Sequence, residues 1–106
     1  MSTATKAVVI PPEGDPQEIH VTTLESLQEV VGGYVEGHSK WPNAIAYINE
    51  DGKQLNLPIN DKASQLFQHV LHPGDSIRGA MLVCGKDSDG EHIDIPDDVK
   101  QEVMSL

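Results

Sequence analysis

His69 and His72 stand three residues apart, and on a helix such a pair shares one face and can present two imidazoles to a metal. A zinc site needs a third or fourth donor, and polar residues at a helix C-terminus have a simpler use against the macrodipole, so no metal is assigned. Asp87-Ser-Asp89-Gly90-Glu91 has part of a calcium-loop spacing. Aligning Gly90 with the loop glycine puts Gly85 and Pro96 where the end ligands belong, and a hairpin turn accounts for the segment better. Cys84, the only cysteine, ends an apolar run just before Gly85 and Lys86. A nearby ammonium can activate a thiol, but a lone cysteine in such a run acts as a small core residue. The loop His38-Ser-Lys40-Trp41-Pro-Asn43 offers more. Its indole is a flat face and its ammonium a cation, a pairing suited to a base and a phosphate. Tyr34, Tyr47, Asn60 and Arg78 can add stacking or hydrogen bonds if the fold brings them near. The candidate ligand-binding set is therefore Trp41, Lys40, Tyr34, Asn43 and Arg78. The plainer alternative is that Trp41 closes the edge of a core poor in other aromatics. No Gly-x-Ser-x-Gly, Walker loop or Gly-x-Gly-x-x-Gly occurs, so no catalytic residue and no cofactor is assigned, and the chain reads as a non-enzyme.

The elements that must position these residues follow from periodicity and punctuation. Lys6–Ile10 and the alternating Gln17–Val21 read as a hairpin with a long Pro/Gly loop between them. Thr22 and Glu25 have the spacing of a capping box, Leu24, Leu27 and Val31 form a helix stripe, and Gly32-Gly33 suits a left-handed cap. Short strands are expected over Tyr34–Gly37 and Ala44–Ile48. The Asp51-Gly52 turn then predicts a returning strand over Lys53–Leu57. Asn60 caps a second helix with Ala63, Leu66, Phe67, Val70 and Leu71 on its buried face, stopped by His72-Pro73-Gly74-Asp75. Ile77–Cys84 is the longest apolar run and the candidate central strand. A short strand over His92–Ile95 and a helix opened by Pro96 complete the order β-β-α-β-β-β-α-β-β-α. The class is α+β: one small domain, an antiparallel or mixed sheet packed by two helices, with a β-grasp-like topology.

The chain has 106 residues, 38% of them apolar, which suits one domain. Residues 1–86 read as its core and 87–106 as an acidic hairpin and helix extension of the same domain. Seven Lys+Arg against seventeen Asp+Glu give a net charge of −10. That argues against nucleic-acid binding and against adsorption to anionic membranes. The last twenty residues hold Asp87, Asp89, Glu91, Asp94, Asp97, Asp98 and Glu102 against Lys100 alone. Dense carboxylates can mimic a nucleic-acid backbone or dock on a basic protein. No secretory leader or membrane-length apolar run shows, and the expected location is the cytoplasm.

Several stretches together carry a family resemblance. They are Lys6-Ala-Val-Val-Ile10 with its Pro-Glu-Gly turn, and Leu24-x-x-Leu27-Gln-x-x-Val31-Gly-Gly-Tyr34-Val-Glu36. Then come Ala46-Tyr-Ile-Asn-Glu-Asp-Gly-Lys53, Leu57-Pro-Ile-Asn60, Pro73-Gly-Asp75 and Arg78-Gly-Ala-Met-Leu-Val83. In this order they resemble a phage-associated family, domain of unknown function 3846, over most of residues 6–85. The resemblance implies a small accessory protein of an actinobacterial phage, acting in the host cytoplasm, and transfers no catalytic residue. Three functions follow as expectations. The first is a non-catalytic binder, expected as a homo-oligomer, that sequesters a small nucleotide-like host immune signal through the Trp41/Lys40 loop. A pocket forms more readily between small subunits than within one. The second is an acidic protein–protein inhibitor of a host factor, DNA-mimicking or otherwise, acting through residues 87–106. The third is a small hydrolase using His69, His72 or His38.

Overall fold

The computed structural model describes residues 4–33, 35–69, 71 and 73–106. Its elements are β1 (Thr5–Ile10), β2 (Gln17–Val21), α1 (Leu24–Val31), β3 (Val35–Trp41), β4 (Ala44–Asn49), α2 (Asp61–Leu66), β5 (Met81–Lys86), β6 (His92–Ile93) and α3 (Asp97–Met104). The strands form one sheet in the order β2-β1-β5-β4-β3, with β6 pairing β5 beyond this path. Every ladder is antiparallel. This is an α+β domain with three helices rather than the two expected to pack the sheet.

Strand alternation gives the sheet two buried faces. Val8, Ile10, Ala44, Ala46, Met81 and Val83 point to one side, where Ala63, Leu66 and Phe67 from the α2 region and Val99 and Val103 from α3 cover them. Ala7, Leu82 and Cys84 point to the other, under Leu27 and Val31 of α1. β5 lies in the middle and is buried on both faces, which is why its sequence reads as a continuous apolar run. It begins at Met81; the preceding residues arrive as an irregular lead-in that touches the rest through an isolated bridge, Ile59 to Arg78.

Several expected boundaries move. The cap of α1 is Thr23, whose Oγ1 accepts from Ser26 N at 3.2 Å. Ser26 then occupies the third helical position, so Glu25 is not placed to complete a capping box. Gly32 closes the helix at φ 82°, as its left-handed cap requires. The loop expected over residues 38–43 is mostly strand: β3 runs to Trp41, and only Pro42 and Asn43 turn the chain into β4. β3 is the outer strand of the sheet, where polar residues are tolerated, so its composition looks like that of a loop.

The strand expected at Lys53–Leu57 does not form. β4 already has β3 on one side and β5 on the other, so no edge is left for it. The chain coils instead through helix-like turns, with Leu55 N donating to Asp51 O at 2.9 Å and Leu57 N to Gly52 O at 3.0 Å. Leu55 is left 58% exposed.

Asn60 caps α2 as expected, but the helix spans six residues and gives way to turns at Phe67. Leu71 still packs on the core; Val70 lies outside the described residues. β6 is two residues long rather than four. It crosses so close to β5 that a Cβ on Gly85 would lie 2.4 Å from Asp94 O, which only glycine permits.

Candidate functional site

The end of β3 carries Lys40 and Trp41, and α3 comes back against them. Glu102 accepts from Trp41 Nε1 at 3.0 Å through one carboxylate oxygen and from Lys40 Nζ at 3.2 Å through the other. The indole stands edge-on to Phe67 with ring centroids 6.1 Å apart, and Lys40 Nζ lies 5.4 Å from the indole centroid. The hydrogen bond from Trp41, then the one from Lys40, hold the Glu102 carboxyl below its usual range. Trp41 thus packs at the rim of the core, as the plainer alternative had it, with its N–H already used. Asn43 is exposed in the hairpin turn, and its carbonyl accepts from Lys86 N at 3.0 Å. Tyr34 lies outside the described residues.

Arg78 sits elsewhere. A two-lobed cleft opens between the far end of the β3–β4 hairpin, the coiled segment after β4, and residues 75–78 before β5. One lobe, about 440 Å³, is lined by Glu36, Asn49, Glu50, Lys53 and Arg78 among others. The second, about 240 Å³, is more enclosed and has an apolar floor of Ile48, Phe67, Leu71 and Ile77, with His38 at its wall. Glu36, Ile48, Lys53, Ser76 and Ile77 line both lobes, so they form one continuous depression. Neither lining includes Trp41, Lys40 or Asn43. The structure therefore separates the candidate set into Arg78 in the cleft and Lys40, Trp41 and Asn43 at the opposite end of the hairpin. Along β3, Glu36 of the cleft and Lys40 stand four residues apart, about 13 Å at roughly 3.3 Å per residue, and Phe67 both lines the smaller lobe and meets the indole edge-on.

The polar groups of the cleft are mutually arranged. His38 Nε2 lies 3.1 Å from Glu36 Oε2, and the imidazole stands edge-on to Phe67 at 6.0 Å. Lys53 Nζ pairs with Asp75 Oδ1 at 2.5 Å. Arg78 Nη1 donates to Leu57 O at 3.1 Å and to Asn56 Oδ1 at 3.3 Å. Asn56 offers that acceptor from a left-handed backbone (φ 53°), which asparagine tolerates better than most residues. The Nη2 and Nε hydrogens of Arg78 have no partner among the described residues, and neither does its charge have a carboxylate.

Arg78 is the only arginine of the chain. A guanidinium anchored on one edge with its other edge free is suited to bidentate recognition of an oxyanion. Of the cleft residues, sequence reading reached Arg78 and His38 and missed Glu36, Lys53 and Ser76. Lys53 was hidden by assignment to a strand that does not form.

The remaining chemical candidates are accounted for structurally. Cys84 is fully buried, and burial pushes its thiol up to about 11, away from nucleophilic use near neutral pH. His69 is exposed, and His72 lies outside the described residues. Among the described residues no group of three or more His, Cys, Asp or Glu is placed to hold a metal ion. Asp87 closes its own turn, its Oδ1 accepting from Asp89 N and Glu91 N at 2.9 Å each. Tyr47 faces the α1 side, where its hydroxyl lies 2.6 Å from His92 Nε2 and burial raises its pKa. Among the described residues no helix is long and apolar enough to cross a membrane.

A family model described as Domain of unknown function (DUF3846) matches residues 5–106, and the chain belongs to that family. The match takes in the acidic C-terminal segment that lay outside the sequence resemblance. No curated protein and no solved structure matches the chain.

Proposed function

We propose that this DUF3846 member is a non-catalytic accessory protein that binds and sequesters a small nucleotide-like ligand, with the two-lobed cleft as its receiving site. The observation that carries this is Arg78. In a chain of net charge −10, its only arginine has no acidic partner among the described residues and keeps a free donor edge beside an apolar lobe. The overall negative charge repels an anion at long range, but screening over about 10 Å leaves the local guanidinium to decide the outcome. This moves the site from the Trp41 loop to the cleft, keeping Arg78 of the original set. Phage origin, action in the host cytoplasm on an immune signal, and assembly into a homo-oligomer complete the reading as proposals. So does a β-grasp-like description of the fold, in which α1 follows the first hairpin across the sheet and the central β1–β5 pair runs antiparallel.

Native mass spectrometry before and after incubation with lysate from infected host cells tests the reading. The expected result is a discrete small mass gained by wild-type protein, lost in Arg78→Ala, and recovered chemically unchanged after denaturation. No small mass, together with no nucleotide binding at micromolar concentration, overturns it. A bound host polypeptide instead would favour the acidic inhibitor, for which the exposed carboxylates of residues 87–106 are the motivating feature.

A further inference from the structure

Resting on that reading of the cleft, we infer that the ligand is a nucleoside monophosphate: one heterocycle and one phosphate, in a fixed orientation. The two lobes differ in chemistry. The smaller one has a floor of half-buried Ile48 and Leu71 over the buried Phe67 and Ile77, with the His38 imidazole and the Glu36 carboxylate at its wall. That is the environment of a planar ring: apolar side chains to pack against, and an acceptor at the rim for an exocyclic amine. The larger lobe carries Arg78, whose Nη1 is held by Leu57 O and Asn56 Oδ1 while Nη2 and Nε remain available as a fork. The fork matches a phosphate bidentately and is already oriented before the ligand arrives.

The charge inventory limits the phosphate count to one. Glu36 and Glu50 line the larger lobe beside Arg78. Asp75 lines the smaller lobe and pairs with Lys53, the ammonium of the cleft, on its solvent side. A second or third phosphate extending from Arg78 meets those carboxylates, and the one ammonium among the described lining residues is already held by Asp75. Polyphosphates and cyclic dinucleotides, with two or more anionic groups, are therefore disfavoured, and a nucleoside without phosphate forgoes the one available charge. The shared wall of Ile48, Ser76 and Ile77 joins the lobes, so ring and phosphate bind in one depression without a dividing barrier.

Calorimetry supplies the test, with the adenosine, guanosine, cytidine and uridine 5′-monophosphates as probes against the matching nucleosides, triphosphates, a cyclic dinucleotide and ribose 5-phosphate. At least one monophosphate is expected to bind about ten- to a hundredfold more tightly than its nucleoside, the range of a charged hydrogen-bonded contact, and more tightly than its triphosphate. Arg78→Gln should bring that monophosphate down to the nucleoside level, with Arg78→Lys between the two because it restores charge without the fork. The chain has a single tryptophan, edge-on to Phe67 at 6.1 Å. A ring seated in the lobe that Phe67 underlies should alter Trp41 emission, and ribose 5-phosphate should not.

Tighter binding of a triphosphate or a cyclic dinucleotide, still dependent on Arg78, overturns the monophosphate inference and leaves the binding site standing. Monophosphate binding that ignores Arg78→Gln overturns the assigned orientation. If no nucleotide binds, this inference and the function it rests on fall together.

Discussion

Replacing Asn60 with Asp is nearly isosteric, and helix-capping preferences alone predict little change, since both residues cap well. The structure predicts a large loss. Asn60 is fully buried, its Oδ1 accepts from Ala63 N at 3.0 Å, and its Nδ2 donates to Ile10 O at 2.8 Å and to Gly79 O at 2.9 Å. One side chain thus ties the end of β1 and the approach to β5 to the start of α2. Asn60→Asp keeps the cap and removes both donors, turning two hydrogen bonds into oxygen facing oxygen. Leaving two buried carbonyls unsatisfied costs about 1–3 kcal/mol each, and burying a carboxylate adds to it, so a total of at least about 3 kcal/mol is expected at pH 7.

The new carboxyl has a raised folded-state pKa, because burial and the two carbonyls disfavour its charged form. Its destabilisation therefore grows as pH rises above the unfolded value near about 3.9, and shrinks toward acid, where the group is protonated in both states. Urea unfolding followed by Trp41 fluorescence at pH 5 and pH 7 measures both effects. Stability within about 0.5 kcal/mol of wild type at pH 7, where a neutral surface substitution would fall, refutes the donor assignment and with it this account of how α2 is held.

Glu102→Gln keeps an acceptor for Trp41 Nε1 but gives up the charge that Lys40 meets. With the Glu102 side chain 43% exposed, the expected loss is about 1 kcal/mol after allowing for solvent screening, or about 4–8 °C in Tm for a domain of this size. Because Trp41 and Lys40 depress the Glu102 pKa below 4.5, its contribution is full above that value and is lost as pH falls through the depressed one. The gap between wild type and variant should close on acidification, and a constant gap from pH 7 to pH 3 counts against the clamp. Cys84, with its thiol raised to about 11 inside the sheet, should resist a disulfide reagent at pH 8 until the protein unfolds. Rapid stoichiometric labelling of the native protein contradicts that burial.

The sequence was most legible where one residue type has one structural use. Gly32 could only be a left-handed cap, and Asn60 marked the start of α2 through its side chain. The β5 run announced a strand with no solvent face. It was least legible where burial depends on neighbours that are remote in the chain. His38 to Trp41 looks like a loop because an edge strand presents polar side chains, and Leu55 and Leu57 alternate like a strand for which the sheet has no vacancy. The same blindness affected the site. Trp41 and Lys40 looked available because Glu102, sixty-one residues from the indole, was invisible as their partner. Arg78 was legible as a residue, but its setting in one lobe with Ile48 exists only after the β3–β4 hairpin has packed.

The placement of charge also decides how the acidic alternative must be tested. Deleting residues 87–106 looks like the direct experiment, but Ile95, Val99 and Val103 of that segment are buried in the core, and Asp94 accepts from Lys6 N at 2.8 Å. Glu102 clamps Trp41, and Lys100 pairs with Glu18, so two ion pairs fasten α3 to the sheet. A deletion would remove the wall of the core along with its charges, and lost activity would report unfolding as readily as a lost surface. Asp89, Glu91, Asp97 and Asp98 are exposed and hold none of these contacts through their carboxylates. Their joint replacement by Asn and Gln removes four negative charges and leaves the core intact. If the proposed host interference is found and disappears in that variant while its melting and the proposed ligand binding by its cleft are unchanged, the acidic surface carries the function. If interference persists and is lost instead in Arg78→Gln, the cleft does, and the charge of the C-terminal segment serves to hold α3 in place and keep the protein soluble.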